Sequence, residues 1–232
     1  MDSIVILVFQ LVVLIFSVMI HEISHGYIAE YLGDPTARLA GRLTLNPLKH
    51  LDFFGSFLLP VSLFFLSGGS FVFGWAKPVP YNPVYLKNPK SGAGKIACAG
   101  PASNFLFALA FGIFGRFLPV GISAKANIIA AVPFGNTSVI HSPLEALFYM
   151  FMLIVFINIL LGIFNLVPVP PLDGSKVLFA LLPSTESGLR LMSFLERYGI
   201  VLILIFIFFG FRLITPLVDF LYFAAAGHPA GF

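Results

Sequence analysis

Charged residues are scarce in this chain, and their scarcity excludes most classes of soluble protein. Only 10% of the 232 residues are Asp, Glu, Lys or Arg, whereas soluble globular domains carry about 25%. The single cysteine, Cys98, excludes a disulfide scaffold, because a disulfide needs two thiols. Disorder is excluded too, since disordered chains are poor in apolar residues and this chain is 59% apolar. A formal net charge of +3 gives no electrostatic footprint for binding nucleic acid.

Long apolar runs make up much of the sequence, and they predict an all-α integral membrane protein. The mean hydropathy is +0.99, and a membrane-spanning helix needs about 20 mostly apolar residues. Four stretches meet that requirement, at Ile4–Ile20, Ile96–Leu118, Ala146–Val169 and Tyr198–Phe223. The first stretch lacks the basic start and the small-residue cleavage site of a signal peptide, so we expect it to remain as a helix.

A fifth apolar stretch, Phe53–Phe73, contains Pro60 and the pair Gly68-Gly69, and it has two possible topologies. Basic residues flank it on both sides, so a full crossing would leave one basic cluster outside, against the positive-inside rule. We therefore predict four spanning helices plus one re-entrant element, with five full spans as the alternative. Both termini then lie outside. Apart from Arg116 and Arg212 within the helices, ten basic residues lie on the cytoplasmic side and Lys125 alone lies outside.

The segment His21-Glu22-Ile23-Ser24-His25 has the pattern H-E-x-x-H at the end of the first apolar stretch. Residues i and i+4 of an α-helix lie on one face, so His21 and His25 can hold one metal ion together. Glu22 lies off that axis, where its carboxylate can act as general base on a metal-bound water. A chain of this composition is expected to contain the pattern by chance roughly 0.005 times. The pattern therefore predicts a site for one zinc ion with a position left open for water.

A third metal ligand has to come from elsewhere, and the segment Asn165–Gly174 supplies a candidate. It reads N-L-V-P-V-P-P-L-D-G, and its three prolines hold the backbone extended after the third span. Asp173 follows on a stiff turn, at the same end of the predicted bundle as the two histidines. A carboxylate oxygen suits zinc beside two imidazoles, and the alternative is that Asp173 only caps the next helix.

Three asparagines are candidates for contacts with a substrate. Asn104 ends the segment A-G-P-A-S-N at the opening of the second span, where it could donate to a developing oxyanion or to a neighbouring helix. Asn158 and Asn165 are seven residues apart and therefore share one helix face. Either could bond a substrate backbone or only an adjacent helix, and the sequence leaves these roles open.

Together these segments resemble the site-2 protease family of intramembrane zinc metalloproteases. The similarity extends from the first span to about Leu178, and it includes G-R-L-T-L-N-P at 41–47 and G-W-A-K-P-V-P at 74–80. The chain looks like a compact member without PDZ or CBS domains. The resemblance implies three core helices around one zinc. It implies the following residues for the site: His21, His25 and Asp173 as ligands, Glu22 as general base, and Asn165 and, less directly, Asn104 in contact with substrate.

From the resemblance we expect a single transmembrane metalloprotease domain over 1–232, with a core at about 4–178 and an additional span at about 198–223. It would cut peptide bonds within or beside a transmembrane segment, in the cell membrane, with its site near the cytoplasmic face. A short β-hairpin or edge strand at Gly41–Asn46 could hold the substrate by β-augmentation. A membrane metal transporter and a non-catalytic zinc-binding membrane protein are the alternatives. The sequence does not indicate an oligomeric state.

Overall fold

A computed structural model describes residues 3–227, except that between 53 and 76 it describes only Phe54, Leu58, Ser62 and Phe65, and it omits the side chains of residues 3–7. Most of the predicted re-entrant stretch, Phe53–Phe73, therefore lies outside the described residues. The α-helices are α1 Ser3–Tyr31, α2 Thr36–Leu39, α3 Pro89–Phe117, α4 Ile122–Ala131, α5 Pro143–Asn165, α6 Asp173–Leu181, α7 Glu186–Ile205 and α8 Phe211–Ala226. Short 3-10 helices lie at Pro47–Lys49, Pro83–Tyr85 and Val132–Phe134, and a π-helical turn, Phe206–Gly210, joins α7 to α8.

Four helical segments of the described chain are long and apolar enough to cross a bilayer. They are α1 from Val8 onward, α3, α5, and the continuous run of α7, the π-helical turn and α8 from Glu186 to Ala226. The prediction of an all-helical protein with four candidate spans is therefore confirmed. Residues 41–46, where the sequence predicts an edge strand, form a turn and bends, and the described residues contain no strand.

The first helix is longer than its apolar run predicts, and this places the H-E-x-x-H segment deeper in the bundle. The apolar run ends at Ile20, but α1 continues through Gly26 to Tyr31, and this part of the helix contains no proline. The helix ends where Gly33 adopts a positive φ of 104°, followed by Pro35. His21 therefore lies ten residues before the helix end, about 15 Å along the axis.

The core of the fold is built around α5, which is apolar on every face and carries no charged residue after Glu145. A helix of that composition is stable only when it is surrounded by other helices or lipid. Here α3, α4 and α8 pack around it. The buried cluster comprises Phe148, Tyr149, Met152, Leu153, Val155, Ile159 and Ile163 of α5, Ala108 of α3, Ile128 and Ile129 of α4, Val132, and Val218, Tyr222 and Ala226 of α8.

Small residues on α3 let its neighbours approach closely, as small residues do in membrane helices. A Cβ added at Gly94 would lie 2.5 Å from Cβ of Ala180 on α6, and one at Gly112 would collide with the Ala225 carbonyl on α8. The contacts of α3 with α1 and with α5 run antiparallel, since His21 and His25 meet Asn104 and Ile96, and Asn104 and Gly115 meet Asn158 and Met152. The middle of α1, the first half of α3, the second half of α5 and the start of α6 therefore meet at one level.

Two buried tyrosines of the core provide a matched test of this packing. Tyr222 on α8 donates a hydrogen bond to the Ile129 carbonyl at 3.0 Å, whereas the buried Tyr149 hydroxyl has no partner among the described residues. We expect Tyr222→Phe to destabilise the protein by about 1 kcal/mol, because it orphans a buried carbonyl. In a chain of this size that loss lowers the apparent Tm in detergent by about 2–4 °C. Tyr149→Phe should not lower it, and equal losses from both variants would contradict the assignment.

Candidate metal centre

His21 and His25 lie on one face of α1, as their spacing predicts. Their rings are perpendicular, with centroids 4.7 Å apart, and the two residues are 5% and 9% exposed. Two ionisable side chains this deeply buried in an apolar bundle are costly unless something binds them. The polar partners of the two rings therefore decide what the site can do.

Asp173 supplies the carboxylate, and it comes from the first residue of α6. The chain leaves α5 at Asn165 and returns through the proline-rich segment, and Gly174 fits directly against the backbone of Leu166 and Val167. A side chain at Gly174 would therefore push Asp173 out of place. One oxygen of Asp173, Oδ2, lies 2.9 Å from Nε2 of His21 and 3.0 Å from Nε2 of His25.

The other nitrogen of each ring has an oxygen partner. Nδ1 of His25 lies 2.7 Å from the Ile96 carbonyl, and Nδ1 of His21 lies 2.6 Å from Oδ1 of Asn104. Both oxygens are acceptors, so each Nδ1 carries a proton and donates. In the neutral rings each Nε2 then presents a lone pair, and both lone pairs face the Asp173 carboxylate.

This arrangement fits a divalent cation. Three lone pairs that converge without a proton between them repel one another, and a cation at their centre removes the repulsion. Ligand atoms around a tetrahedral zinc lie about 3.3 Å apart at typical bond lengths, which is a few tenths of an ångström wider than the two distances to Oδ2. Two imidazoles and one carboxylate form a set that leaves a fourth position for water. The residues present therefore fit zinc.

The electrostatics of Asp173 point the same way. Burial acts to raise the pKa of Asp173, and the positive charge of Lys176 nearby acts to lower it. Lys176 Nζ lies 3.4 Å from Oδ1, the oxygen that the histidines do not share. The nearby Lys176 ammonium favours the ionised form of this carboxylate, which is the form that binds a metal.

Glu22 lies beside the histidines without joining the shared contact with Asp173. Its carboxylate is half-buried, and the candidate ligand atoms of His21, Glu22 and His25 all lie within 4.8 Å of one another. One carboxylate oxygen, Oε2, accepts a hydrogen bond from the Val79 backbone N–H at 2.9 Å.

The contact with Val79 is one that sequence reasoning missed. Val79 stands between Pro78 and Pro80, which have no backbone N–H, so its own N–H is the one donor of this short stretch. Arg42, only 7% exposed, holds the stretch in place by donating to the carbonyls of Lys77 at 2.5 Å and Pro78 at 3.2 Å. The isolated backbone donor in P-V-P indicates that Val79 needs an acceptor, but nothing in the sequence identifies that acceptor as Glu22.

The three candidate asparagines occupy different positions. Asn104 and Asn158 are each 1% exposed and are hydrogen-bonded to each other, with Asn104 next to His21. Asn165 is half-buried at the end of α5, and its Nδ2 donates to the Leu161 carbonyl one turn earlier at 3.0 Å. The structure therefore brings Asn104 and Asn158 to the histidines, and it places Asn165 at the start of the proline-rich segment that leads to Asp173.

A helical bundle with this group of histidines, glutamate and aspartate has the architecture of a membrane-embedded metalloprotease, and comparison with known proteins agrees. The profile of Peptidase family M50, the family of site-2 proteases, matches residues 9–208. The chain therefore belongs to that family. It is an integral membrane protein of the metalloprotease class.

Three relatives are similar over most of this chain. It is 36% identical to "Putative zinc metalloprotease YwhC" of Bacillus subtilis over 199 residues, which is 85% of this chain and 78% of that protein. It is 27% identical to "Putative zinc metalloprotease Rip2" of Mycolicibacterium smegmatis, covering 88% of this chain and 65% of the relative. It is 26% identical to "Zinc metalloprotease MJ0392" of Methanocaldococcus jannaschii, covering 92% and 47%. No solved structure matches the chain.

The close approach of α3 to the histidines can be tested at Gly100. A Cβ at this position would lie 2.5 Å from Nε2 and Cε1 of His21 and 2.6 Å from Cε1 of His25, and real Cβ atoms do not come that close. We expect Gly100→Ala to displace both rings and to abolish stoichiometric metal binding, measured by metal analysis of the purified protein. Gly121→Ala is the control, because a Cβ there meets nothing within 4 Å. Full metal content in Gly100→Ala would contradict this geometry.

Proposed function

We propose that this protein is an intramembrane zinc endopeptidase that cuts peptide bonds within or next to transmembrane segments of other membrane proteins. The observation that carries the proposal is the convergence of two Nε2 atoms and one Oδ2 atom, with a carboxylate beside them. His21, His25 and Asp173 would hold the zinc. The zinc named in its relatives and the M50 family membership support this assignment.

Zinc bound by these three residues would supply Lewis-acid chemistry, polarising a scissile carbonyl and lowering the pKa of water. Glu22 takes the proton of the attacking water, and it later returns that proton to the leaving amine. The Val79 N–H holds Oε2 in place, and Oε1 is the oxygen that would take the proton. Burial of the site in the bundle excludes bulk water and strengthens these interactions.

The site lies about 15 Å inside the end of α1, which suits a substrate that is itself in the bilayer. We propose that this end faces the cytoplasm of the cell, because the basic residues flanking α1 and α3 lie on that side by the positive-inside rule. The substrate is then a transmembrane protein or peptide. Asn165, at the end of α5 before the segment that carries Asp173, is the proposed contact for its backbone.

The substrate has to be unwound before its carbonyl can reach the site, and residues 41–46 are the segment that we propose holds it extended. Leu43 lies against α1, since a Cβ at Gly26 would be 2.6 Å from its Cδ2. Leu45 is 67% exposed. Within the described chain the backbone N–H groups of Leu43, Thr44 and Leu45 donate to no backbone carbonyl. We propose that a substrate strand pairs with these groups by β-augmentation.

The general base is tested by Glu22→Gln, which keeps the shape of the side chain and removes its basicity. Wild type and Glu22→Gln, purified in detergent, should each hold about one zinc. Only wild type should cut a transmembrane peptide, with the variant slower by about 10²–10⁴-fold or more. The control is Glu186→Gln, because Glu186 pairs with Arg190 on the exposed side of α7, where both side chains are 79% exposed.

Other results of this experiment would favour the alternatives. Cleavage by Glu22→Gln at the wild-type rate would remove Glu22 from the chemistry. Zinc flux into proteoliposomes that His21→Ala abolishes would indicate a transporter. A fourth protein ligand on the zinc, detected by spectroscopy of the cobalt-substituted protein, would indicate a closed structural site, because catalytic sites keep one position open.

The pairing of substrate with residues 41–46 is tested by Leu45→Pro, which removes one backbone donor at an exposed position. We expect the cleavage rate to fall about tenfold or more, because the substrate loses one hydrogen bond and part of the extended backbone that it pairs with. The zinc content should stay at the wild-type level. Leu45→Ala, which keeps the N–H, should cut nearly normally. Cleavage by Leu45→Pro at the rate of Leu45→Ala would rule out strand pairing at this position.

A further inference from the structure

A chain of side-chain hydrogen bonds runs from the backbone of α5 to the ring of His21. Asn158 on α5 donates through Nδ2 to the Ile154 carbonyl at 2.9 Å and lies 2.9 Å from the Ser17 hydroxyl of α1. Asn104 on α3 donates through its own Nδ2 to Oδ1 of Asn158 at 2.9 Å. Oδ1 of Asn104 then meets Nδ1 of His21 at 2.6 Å. The chain joins three helices at the level of the candidate metal centre.

The direction of every link follows from its first acceptor. The Ile154 carbonyl can only accept, so the amide nitrogen of Asn158 must face it and the amide oxygen of Asn158 must face Asn104. Asn104 therefore turns its nitrogen toward Asn158 and its oxygen toward His21. An oxygen at that place can only accept, and Nδ1 of His21 must carry the proton. A backbone carbonyl two side chains away thus fixes the tautomer of His21.

The tautomer matters because it decides whether Nε2 of His21 can bind a metal. With the proton on Nδ1, the lone pair of Nε2 points to Asp173. If the amide of Asn104 turned over, its NH₂ group would face Nδ1, the proton would move to Nε2, and the ring would lose its ligand atom. His25 has no such dependence, since the Ile96 backbone carbonyl accepts from its Nδ1 directly.

We propose that Asn104 and Asn158 are positioning residues that hold His21 in its metal-binding tautomer, with Asn158 acting only through Asn104. Both side chains are 1% exposed, and Asn158 touches His21 through no hydrogen bond of its own. The proposal rests on the proposed function, because it requires a metal on Nε2 of His21. It differs from a contact with substrate, the role that the sequence left open for both residues.

The test is the zinc affinity of full-length protein in detergent, measured by competition with a chromophoric chelator. Asn158→Leu removes the partner that orients Asn104 and keeps a side chain of similar size. We expect it to weaken zinc binding by about 10–100-fold, as changes in outer-shell partners of metal ligands do. Asn104→Asp should rescue this loss when combined with Asn158→Leu, because a carboxylate presents an acceptor to Nδ1 whichever way it is turned.

Rescue of zinc affinity by Asn104→Asp distinguishes a role of Asn158 in positioning His21 from a role in helix packing alone. If Asn158→Leu binds zinc like wild type, or if the double variant binds as weakly as Asn158→Leu, the proposal is overturned. Tyr149→Phe, which removes another buried polar group from α5 with no link to His21, is the control and should keep full affinity. Should Asn158→Leu not purify as a folded protein, Asn104→Asp and Asn104→Leu decide: the carboxylate must keep zinc and leucine must lose it about 10–100-fold, and equal affinities overturn the proposal.

The same measurement distinguishes the two proposals. A wild-type chain that holds no zinc, or one whose zinc survives His25→Ala and Asp173→Ala together, contradicts the proposed metal centre itself. A wild-type chain that holds zinc through those residues, with affinity indifferent to Asn158, contradicts only the role of the asparagine pair.

Discussion

The contact that organises this molecule is the meeting of two imidazole nitrogens with one carboxylate oxygen, which lies 2.9 Å from one nitrogen and 3.0 Å from the other. Each of these groups is costly to bury in an apolar bundle, and the three come from two separate parts of the fold. His21 and His25 belong to α1, whereas Asp173 arrives 148 residues after His25, at the first residue of α6. The packing of the helices has to bring those parts to the same level, and a bound cation would stabilise that arrangement.

The residues around the candidate metal centre provide hydrogen-bond partners for polar groups in a region where water is scarce. Small residues on α3 let α1 and α6 come close enough for direct contacts. Pro78 and Pro80 reduce the donors of the stretch beside Glu22 to one, and that donor is used. Asn104 and Asn158 are hydrogen-bonded to each other, so their amide groups do not face hydrocarbon without a partner. These polar side chains around the histidines are thus connected to one another or to backbone groups.

The sequence predicts the class of the fold and the grouping of His21, Glu22 and His25 on one helix, because both depend on local patterns. Four apolar runs predict the four candidate spans, and H-E-x-x-H places His21, Glu22 and His25 on one helix. The end of α1 was less predictable, since polar residues after Ile20 continue the helix only through contacts that a hydropathy profile does not contain. The partners of Glu22, of His25 and of Asn158 involve residues 57, 71 and 141 positions away. Such pairings depend on how the helices pack.

The two histidines differ in one respect that bears on how such a centre can diverge. The acceptor for His25 is the main-chain carbonyl of Ile96, and a replacement of that residue's side chain leaves its carbonyl in the chain. The acceptor for His21 is a side chain, and substitution on α3 or α5 can alter it. Natural variation could therefore adjust how tightly the ion is held by changing residues that never touch it, with the ligands themselves kept. The orientation of His25 is therefore set by the backbone, whereas the orientation of His21 can change with the side chains of α3 and α5.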